Sequence, residues 1–312
     1  MDREKVISAW KLGQQEFEPL NWIIPGVIPM EGIMLMAAPP KAGKSIFILN
    51  LIIDCALQRK VLGFADPPKR INTLYLDLEN SDRRAQERIN KISGGQFPTN
   101  LDVAIQWERL GSGGLTALRH HLKEHQLTDI IVVDVLNKML PSRGTSGQYS
   151  YQLDAEDIGR FRIIVEEFGV MIILIHHTRK QDSADWVEKI IGTQGIAGSC
   201  DTLMLLERDR ASTSATLRVT GRDVSEESYR LIFNQEDYRW LMVGRRDTSN
   251  LSAERTNILA VVKGCEEALR PIEVARLLHK SEGSIRRMMA NMERDGLLIR
   301  ESYGHYVDRM EI

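Results

Sequence analysis

Cysteine is scarce in this chain: Cys55, Cys200 and Cys265 stand far apart and form no C-x-x-C pair. Their spacing argues against a zinc site and against a disulfide framework, and suits plain thiols in a reducing cytosol. Long apolar runs are also missing, since none approaches the ~18 residues a membrane span needs. The first ten residues, Met1 to Trp10, are charged and contain no apolar signal-peptide core. A soluble cytoplasmic protein with no membrane partner is expected. Charge of one sign is lacking as well: the formal net charge is −2, so any nucleic-acid contact must come from a local patch. No internal repeat or low-complexity segment is present. At 312 residues the chain is long enough for one large core and a small second one.

What is present is organised around Ala38-Pro39-Pro40-Lys41-Ala42-Gly43-Lys44-Ser45. It follows the apolar run Gly32 to Ala37 and precedes the run Ile46 to Ile53, which reads as strand, tight loop and buried helix. Backbone N–H groups of such a loop and of the following helix N-terminus converge on phosphates, and the helix dipole adds a favourable field. In this frame Lys44 reaches the β- and γ-phosphates and the Ser45 hydroxyl ligates Mg²⁺. Ala38 stands where the G-x-x-x-x-G-K-[ST] pattern has its first glycine; Gly43, beside the lysine, is kept.

Further along, apolar runs at Ile71 to Leu78, Asp129 to Asp134 and Val170 to Ile175 alternate with helical stretches near Ser81 to Lys91, Leu115 to His125 and Ala155 to Phe168. A short strand is expected at Ala104 to Trp107. Continuous apolar strands between helices are the mark of a buried parallel sheet, so the fold class is α/β with a mainly parallel central sheet. Beyond residue 200, Leu203 to Arg208, Thr216 to Thr220 and Tyr229 to Asn234 are separated by short polar turns, as expected for antiparallel strands extending the edge.

A phosphate loop needs a second Mg²⁺ ligand, and Asp134 at the tip of Ile130-Ile-Val-Val supplies an acidic residue there. An NTP-hydrolysing site also needs a group to orient water. Glu79, ending the strand that carries Asp77, is a candidate, with Asp77 as its rival on the same face. His176 and His177 read only as a polar pair at a strand end.

Several motifs occur together in order: Trp22-Ile-Ile-Pro-Gly-Val-Ile-Pro, A-P-P-K-A-G-K-S, L-Y-L-D-L-E-N, I-I-V-V-D, I-L-I-H-H-T-R-K, G-I-A-G-S-C-D and V-T-G-R-D. With them the chain resembles, over roughly residues 18 to 240, the RecA-like P-loop ATPases of the hexameric replicative-helicase type. Plasmid RepA-like helicases and their AAA_25 relatives in phages and mobile elements are the nearest likeness. The resemblance implies ATP and Mg²⁺ as cofactors, with residues 38 to 46, Ala38 through Ile46, cradling the phosphates. It implies Glu79 as catalytic base and His177 as γ-phosphate sensor. Arg222 would be a finger offered to a neighbour's nucleotide from an edge strand, with Arg218 as the second candidate. It also implies a homo-oligomer, a hexameric ring, with single-stranded DNA in the channel. The loops after Asp134 and His177 would line that channel, bringing Arg143, Lys180 and Lys189 to phosphates and Tyr149 or Trp186 to bases. Asp182, Asp185 and Glu188 in the same loops weaken that electrostatic case, and plain mobile loops are the competing reading.

The remaining segment reads as a separate small domain. The expected boundaries are residues 1–243 for the ATPase domain, 244–251 for a linker and 252–312 for a winged helix-turn-helix. Pro271 suits a helix start. Ile285, Met288, Met289 and Met292 form an apolar stripe that reads as core, and a hairpin around Tyr303-Gly304 is the wing. Arg286 and Arg287 lie on the third helix, where double-stranded DNA would be read. Ten basic against ten acidic residues in 251–312 suit a protein partner as well. Two functions remain open on these residues: a DNA helicase, and an ATP-dependent switch or loader that does not unwind.

Overall fold

The computed structural model describes residues 6–141, 150–178, 186–190, 194–208, 212–245, 257–259, 261–262, 268–278, 280–294, 298–302 and 304–308. Two compact units divide between Arg246 and Asp247.

The first unit is built on a nine-stranded sheet. Its strands are β3 (Ile33–Ala38), β4 (Thr73–Asp77), β5 (Leu101–Ala104), β6 (Ile130–Asp134), β7 (Met171–His177), β8 (Thr202–Arg208), β9 (Ser214–Gly221), β10 (Glu227–Asn234) and β11 (Arg239–Arg245). A small hairpin, β1 (Trp22–Ile24) with β2 (Ile28–Pro29), precedes it. The spatial order is β11-β10-β9-β8-β3-β7-β6-β4-β5. From β5 through β8 the pairings are all parallel, and β8 to β11 form an antiparallel meander. A mainly parallel sheet is what every residue of β3, β4 and β6 being buried demands, because such strands must be covered on both faces.

The helices are α1 (Ala9–Gly13), α2 (Lys44–Ala56), α3 (Asp82–Ser93), α4 (Gly114–Glu124), α5 (Leu136–Met139), α6 (Ser150–Phe168), α7 (Trp186–Ile190) and α8 (Gln194–Gly198). One core joins α2 and Ile89 and Ile92 of α3 to Met34, Met36, Tyr75, Val132, Ile173 and Ile175 of the sheet. The other joins Leu118 and Leu122 of α4 and Ile158, Phe161 and Ile164 of α6 to the alternate residues, such as Leu35, Leu76, Val133 and Leu174. Side chains alternate along a strand, so Asp77, Asp134 and His177 share parity with the first set. Sheet geometry thus aims all three at the face that α2 covers.

Three sequence expectations shift. Strand β5 ends at Ala104 rather than beginning there, since its Leu-Asp-Val-Ala segment is a half-exposed edge and lacks the buried-strand signature. β9 is not an edge strand, because β10 and β11 continue the sheet beyond it. β11 has no counterpart in the sequence reading; its burial alternates, Trp240 and Met242 inward, with Leu241 and Val243 exposed.

β11 also clasps α2. The buried Asn50 accepts from the Trp240 N–H (2.9 Å) and donates to the Tyr238 carbonyl (2.9 Å). One turn on, Asp54, fully buried, meets Arg239 at 2.6 Å and accepts from the Leu62 N–H at 3.0 Å. The two polar residues of α2 beyond its first turn are therefore both taken up by partners on the segment Tyr238 to Trp240, far along the chain.

In the second unit, helices Pro271–Leu277 and Glu282–Arg294 and a hairpin of Leu298–Ser302 with His305–Asp308 are described, with helical residues at 257–259 and 261–262. The Glu273 carboxylate accepts from the Arg270 N–H at 2.7 Å and from its guanidinium at 2.8 Å, closing the turn that starts at Pro271. Ile285, Met289 and Met292 are buried with Ile258, Val274, Leu298 and Tyr306, so the methionine stripe is this unit's core.

Candidate functional site

Gly43 caps α2 with φ +102°, a left-handed conformation that a side chain resists. A Cβ there would also meet Trp240 of β11 at 3.0 Å. The first helical hydrogen bond runs from the Phe47 N–H to the Gly43 carbonyl, so the N–H groups of Lys44, Ser45 and Ile46 precede the ladder. Ala38 ends β3 fully buried, while Pro39, Pro40 and Lys41 are exposed and Ala42 is buried beneath them. The loop thus offers an open mouth above a rigid floor, with orphan donors and the positive end of a thirteen-residue helix.

Lys44 is 6% exposed, and its ammonium lies 3.0 Å from Nδ1 and 3.3 Å from Nε2 of His177. Register explains the meeting: Ala38, at the lip of the loop, pairs with His177 on β7. Burial lowers the Lys44 pKa, opposed by the charges of Asp134 and Glu79. His177 is lowered too, first by burial and then by Lys44, so its ring is held neutral beside the cation.

Asp134 pairs across the sheet with Asp77. Its Oδ2 accepts from the Tyr75 hydroxyl at 2.5 Å. Burial raises its pKa, and the Tyr75 and Ser45 side chains and Lys44 pull the other way. Asp77 is also raised, by burial and by Asp134, although Asn80 donates to its Oδ1 at 2.6 Å. Among the described residues, buried Oδ1 of Asp134 and Oδ2 of Asp77 have no hydrogen-bond partner. Two desolvated carboxylates with orphaned oxygens beside a serine hydroxyl are a hard-oxygen donor set, which suits Mg²⁺. Glu79 lies two residues past the end of β4, 43% exposed, with Oε1 4.0 Å from His177 Nε2. Asp77, its rival, is fully buried and faces Asp134, so only Glu79 reaches the open side.

The structure therefore gathers Lys44, Ser45, Asp134, His177 and Glu79 at one end of the sheet. Arg222 is elsewhere. It follows β9, whose Gly221 pairs with Thr202, which pairs in turn with Met34 at the start of β3, the rim away from the loop. There, 64% exposed, it meets Asp201 at 2.8 Å. Asp201 also accepts from the Ile33 N–H (2.8 Å) and Arg162 (2.6 Å). Arg218 pairs with Glu207 on the neighbouring strand at 2.8 Å. Trp186 is no stacking platform: it is 6% exposed in the core, and its indole N–H donates to Glu226. Arg143, Lys180 and Tyr149 lie outside the described residues, as does the side chain of Lys189. Arg286 is ion-paired with Glu282 one turn away. Arg287 lines an open groove with Ser281, Ser284, Met288 and Asn291.

Sequence reasoning missed Tyr75, Trp240 and Asp201. Tyr75 had a visible signal, lying two residues before Asp77 and so on its face. Trp240 meets Gly43 and Asn50 almost two hundred residues away and left none, whereas Asp201 stood at the end of the G-I-A-G-S-C-D motif without its role being read.

A strand carrying the phosphate loop, flanked by β7 and β8, with the acidic strand β6 one place removed, is a RecA-like sheet. A family model described as AAA domain, AAA_25, matches residues 2–183, and the chain belongs to that family. Among solved structures, the chain is similar to one described as "ATPase Domain of G40P", at 13% identity and TM-score 0.54, covering 68% of this chain and 84% of that one. Another, "The Structure Of A DnaB-Like Replicative Helicase And Its Interactions With Primase", has 12% identity and TM-score 0.55, covering 77% of this chain and 68% of that one. At such identities the likeness is one of fold. No curated protein matches by sequence.

Proposed function

We propose that this chain is an ATP-hydrolysing, oligomeric, DNA-associated motor of the replicative-helicase type, of the RepA-like kind that serves plasmids, phages or mobile elements. The observation that carries the reading is the convergence of Lys44 with His177 on one side and Asp134 and Glu79 on the other, at the mouth of the loop. The N–H groups opening α2, with Lys44, bind the phosphates, and Ser45 and Asp134 hold Mg²⁺, with Asp77 behind them. Bound there, Mg²⁺ would neutralise phosphate charge. Glu79, on the open side, orients and deprotonates the attacking water. His177, neutral and in contact with Lys44, registers whether the γ-phosphate occupies the site.

Arg222 supports an assembled enzyme. It sits at the opposite end of β3 from Ala38, about 3.3 Å per residue along the strand, too far to serve its own loop. An exposed arginine held by Asp201 is instead ready for a neighbouring subunit's nucleotide, where it would stabilise transition-state charge. We assign residues 1–243 to the ATPase domain, 244–251 to a linker and 252–312 to a winged helix. In that last domain Arg287, which lines the open groove with Ser284 and Asn291, is the better placed DNA contact.

Mixing subunits tests the reading. Lys44→Ala and Arg222→Ala proteins, each inactive alone, should recover ATPase activity when mixed, because some interfaces then combine an intact loop with an intact finger. No recovery despite mixed oligomers by light scattering would remove the finger. Unwinding of a forked duplex separates the motor from an ATP-dependent switch, which would show DNA-stimulated hydrolysis without strand separation.

A further inference from the structure

Well away from the phosphate loop, the last turn of α4 meets the edge strand β5. His121 and His125 stand one helical turn apart, with His125 at the C-cap, and their rings stack at 4.2 Å and 11°. Asp102 on β5 faces them, its Oδ2 3.8 Å from His125 Nδ1. One ligand atom from each of the three residues lies within 4.8 Å of the others. Asp102 pairs with Leu74 near the start of β4, whereas the phosphate-loop carboxylate Asp77 ends that strand. The cluster therefore takes no part in the site described above.

We propose that Asp102, His121 and His125 bind a divalent transition-metal ion of the zinc class. Two imidazoles and one carboxylate are the donor set that Zn²⁺, Co²⁺, Ni²⁺ or Cu²⁺ favours over Mg²⁺ or Ca²⁺. Metal–ligand bonds of 2.0–2.2 Å put tetrahedral ligand atoms roughly 3.4 Å apart, so the cluster needs to close by little more than an ångström. Asp102 and His125 are exposed side chains with room for that rotation. His121 Nε2 is buried and has no hydrogen-bond partner among the described residues, so that nitrogen is not committed to a structural bond with them. Burial and the neighbouring His125 lower the His121 pKa, which keeps a ligand neutral at pH 7. The C-terminal end of α4 carries partial negative charge and favours a cation. A metal here would staple β5, which is paired on one side only, to the helix that leads into β6. With three protein ligands, two of them exposed, water would complete the coordination and the site faces solvent.

The full chain, stripped with a chelator and returned to millimolar Mg²⁺ to keep the phosphate-loop carboxylates occupied, is titrated with Co²⁺ and Zn²⁺. One equivalent of Co²⁺ should bind with visible d–d absorption, and Zn²⁺ should displace it and raise the unfolding temperature. His125→Ala and Asp102→Asn should each weaken binding at least about tenfold, whereas His177→Ala should leave it unchanged. Both substituted residues are exposed, and circular dichroism verifies that the variants fold. Absence of binding up to millimolar metal overturns the proposal. Binding that survives His125→Ala, or is lost in His177→Ala, overturns it too, the latter placing the ion at the phosphate loop.

Discussion

The Lys44 ammonium and the His177 imidazole touch at 3.0 Å, although 133 residues separate them. The contact exists because β7 inserts between β3 and β6, setting its end beside the phosphate loop. A neutral ring can accept from the ammonium; a protonated one would repel it. Removing each partner therefore has a different outcome.

Lys44→Ala should lose both ATP affinity and hydrolysis, with kcat falling on the order of 100-fold or more. His177→Ala should keep nucleotide affinity within a few-fold while kcat drops. Glu79→Gln should bind ATP normally and lower kcat by about 10²–10⁴. Phosphate release beside fluorescent-nucleotide binding distinguishes the three, and wild-type hydrolysis by Glu79→Gln would sink the base assignment.

Asp77 is a stability liability in the ligand-free protein. Its pKa is raised above 3.8 by burial, so the folded chain holds this proton at a pH where the unfolded chain has released it. The ionised carboxylate thus costs stability above the folded pKa, and the cost fades as pH falls through that value. Asp77→Asn should raise the unfolding temperature at pH 8, by about 2–4 °C per kcal/mol recovered, with a smaller gain at pH 5. Thermal melts in chelator measure this; an equal gain at both pH values contradicts the linkage.

Arg239 and Asp54 make a buried pair beneath α2, with Asp54 fully buried and Arg239 16% exposed. Arg239→Ala strands a carboxylate, which costs about 3–5 kcal/mol. Asp54 already has a pKa raised by burial, so protonation limits the loss at lower pH. Urea unfolding should show a larger deficit at pH 8 than at pH 5, and a deficit below about 1 kcal/mol at both would remove β11 as a clasp.

Gly32 enters β3 at φ +73°, and a Cβ there would fall 2.4 Å from Asp201 Oδ2. That carboxylate holds the Ile33 N–H, Arg162 and Arg222 together. Gly32→Ala should destabilise the first unit by more than about 2 kcal/mol, combining backbone strain with the displaced hub. Gly13→Ala is the control, since nothing lies within 4 Å of its Cβ position. Similar urea midpoints for the two variants would contradict the clash.

The chain's local patterns announced the loop, the buried strands and the shared face of Asp77 and Glu79, because strand alternation is short-range physics. Edges were less legible. β5 and β11 are partly exposed, so their sequences lack the continuous apolar signal of β3 or β6. Trp186 read as a surface aromatic because hydropathy in a polar loop carries no record of the core it enters. The scattered cysteines pointed away from a thiolate zinc site and carried no information on imidazole or carboxylate ligands. The cluster of Asp102, His121 and His125 has no spacing motif, since its carboxylate comes from a different element.

The sequence by itself determined a phosphate loop on a buried parallel sheet and the carboxylates that accompany it, since these follow from periodicities within a few residues. Tertiary structure decided that Tyr75 bonds Asp134, that Lys44 meets His177, that β11 clasps α2, and that Arg222 lies at the far end of β3 from the loop it resembles a finger for. Those relations depend on strand order and crossover, which join residues tens to nearly two hundred positions apart, and no local pattern encodes which strands will be neighbours.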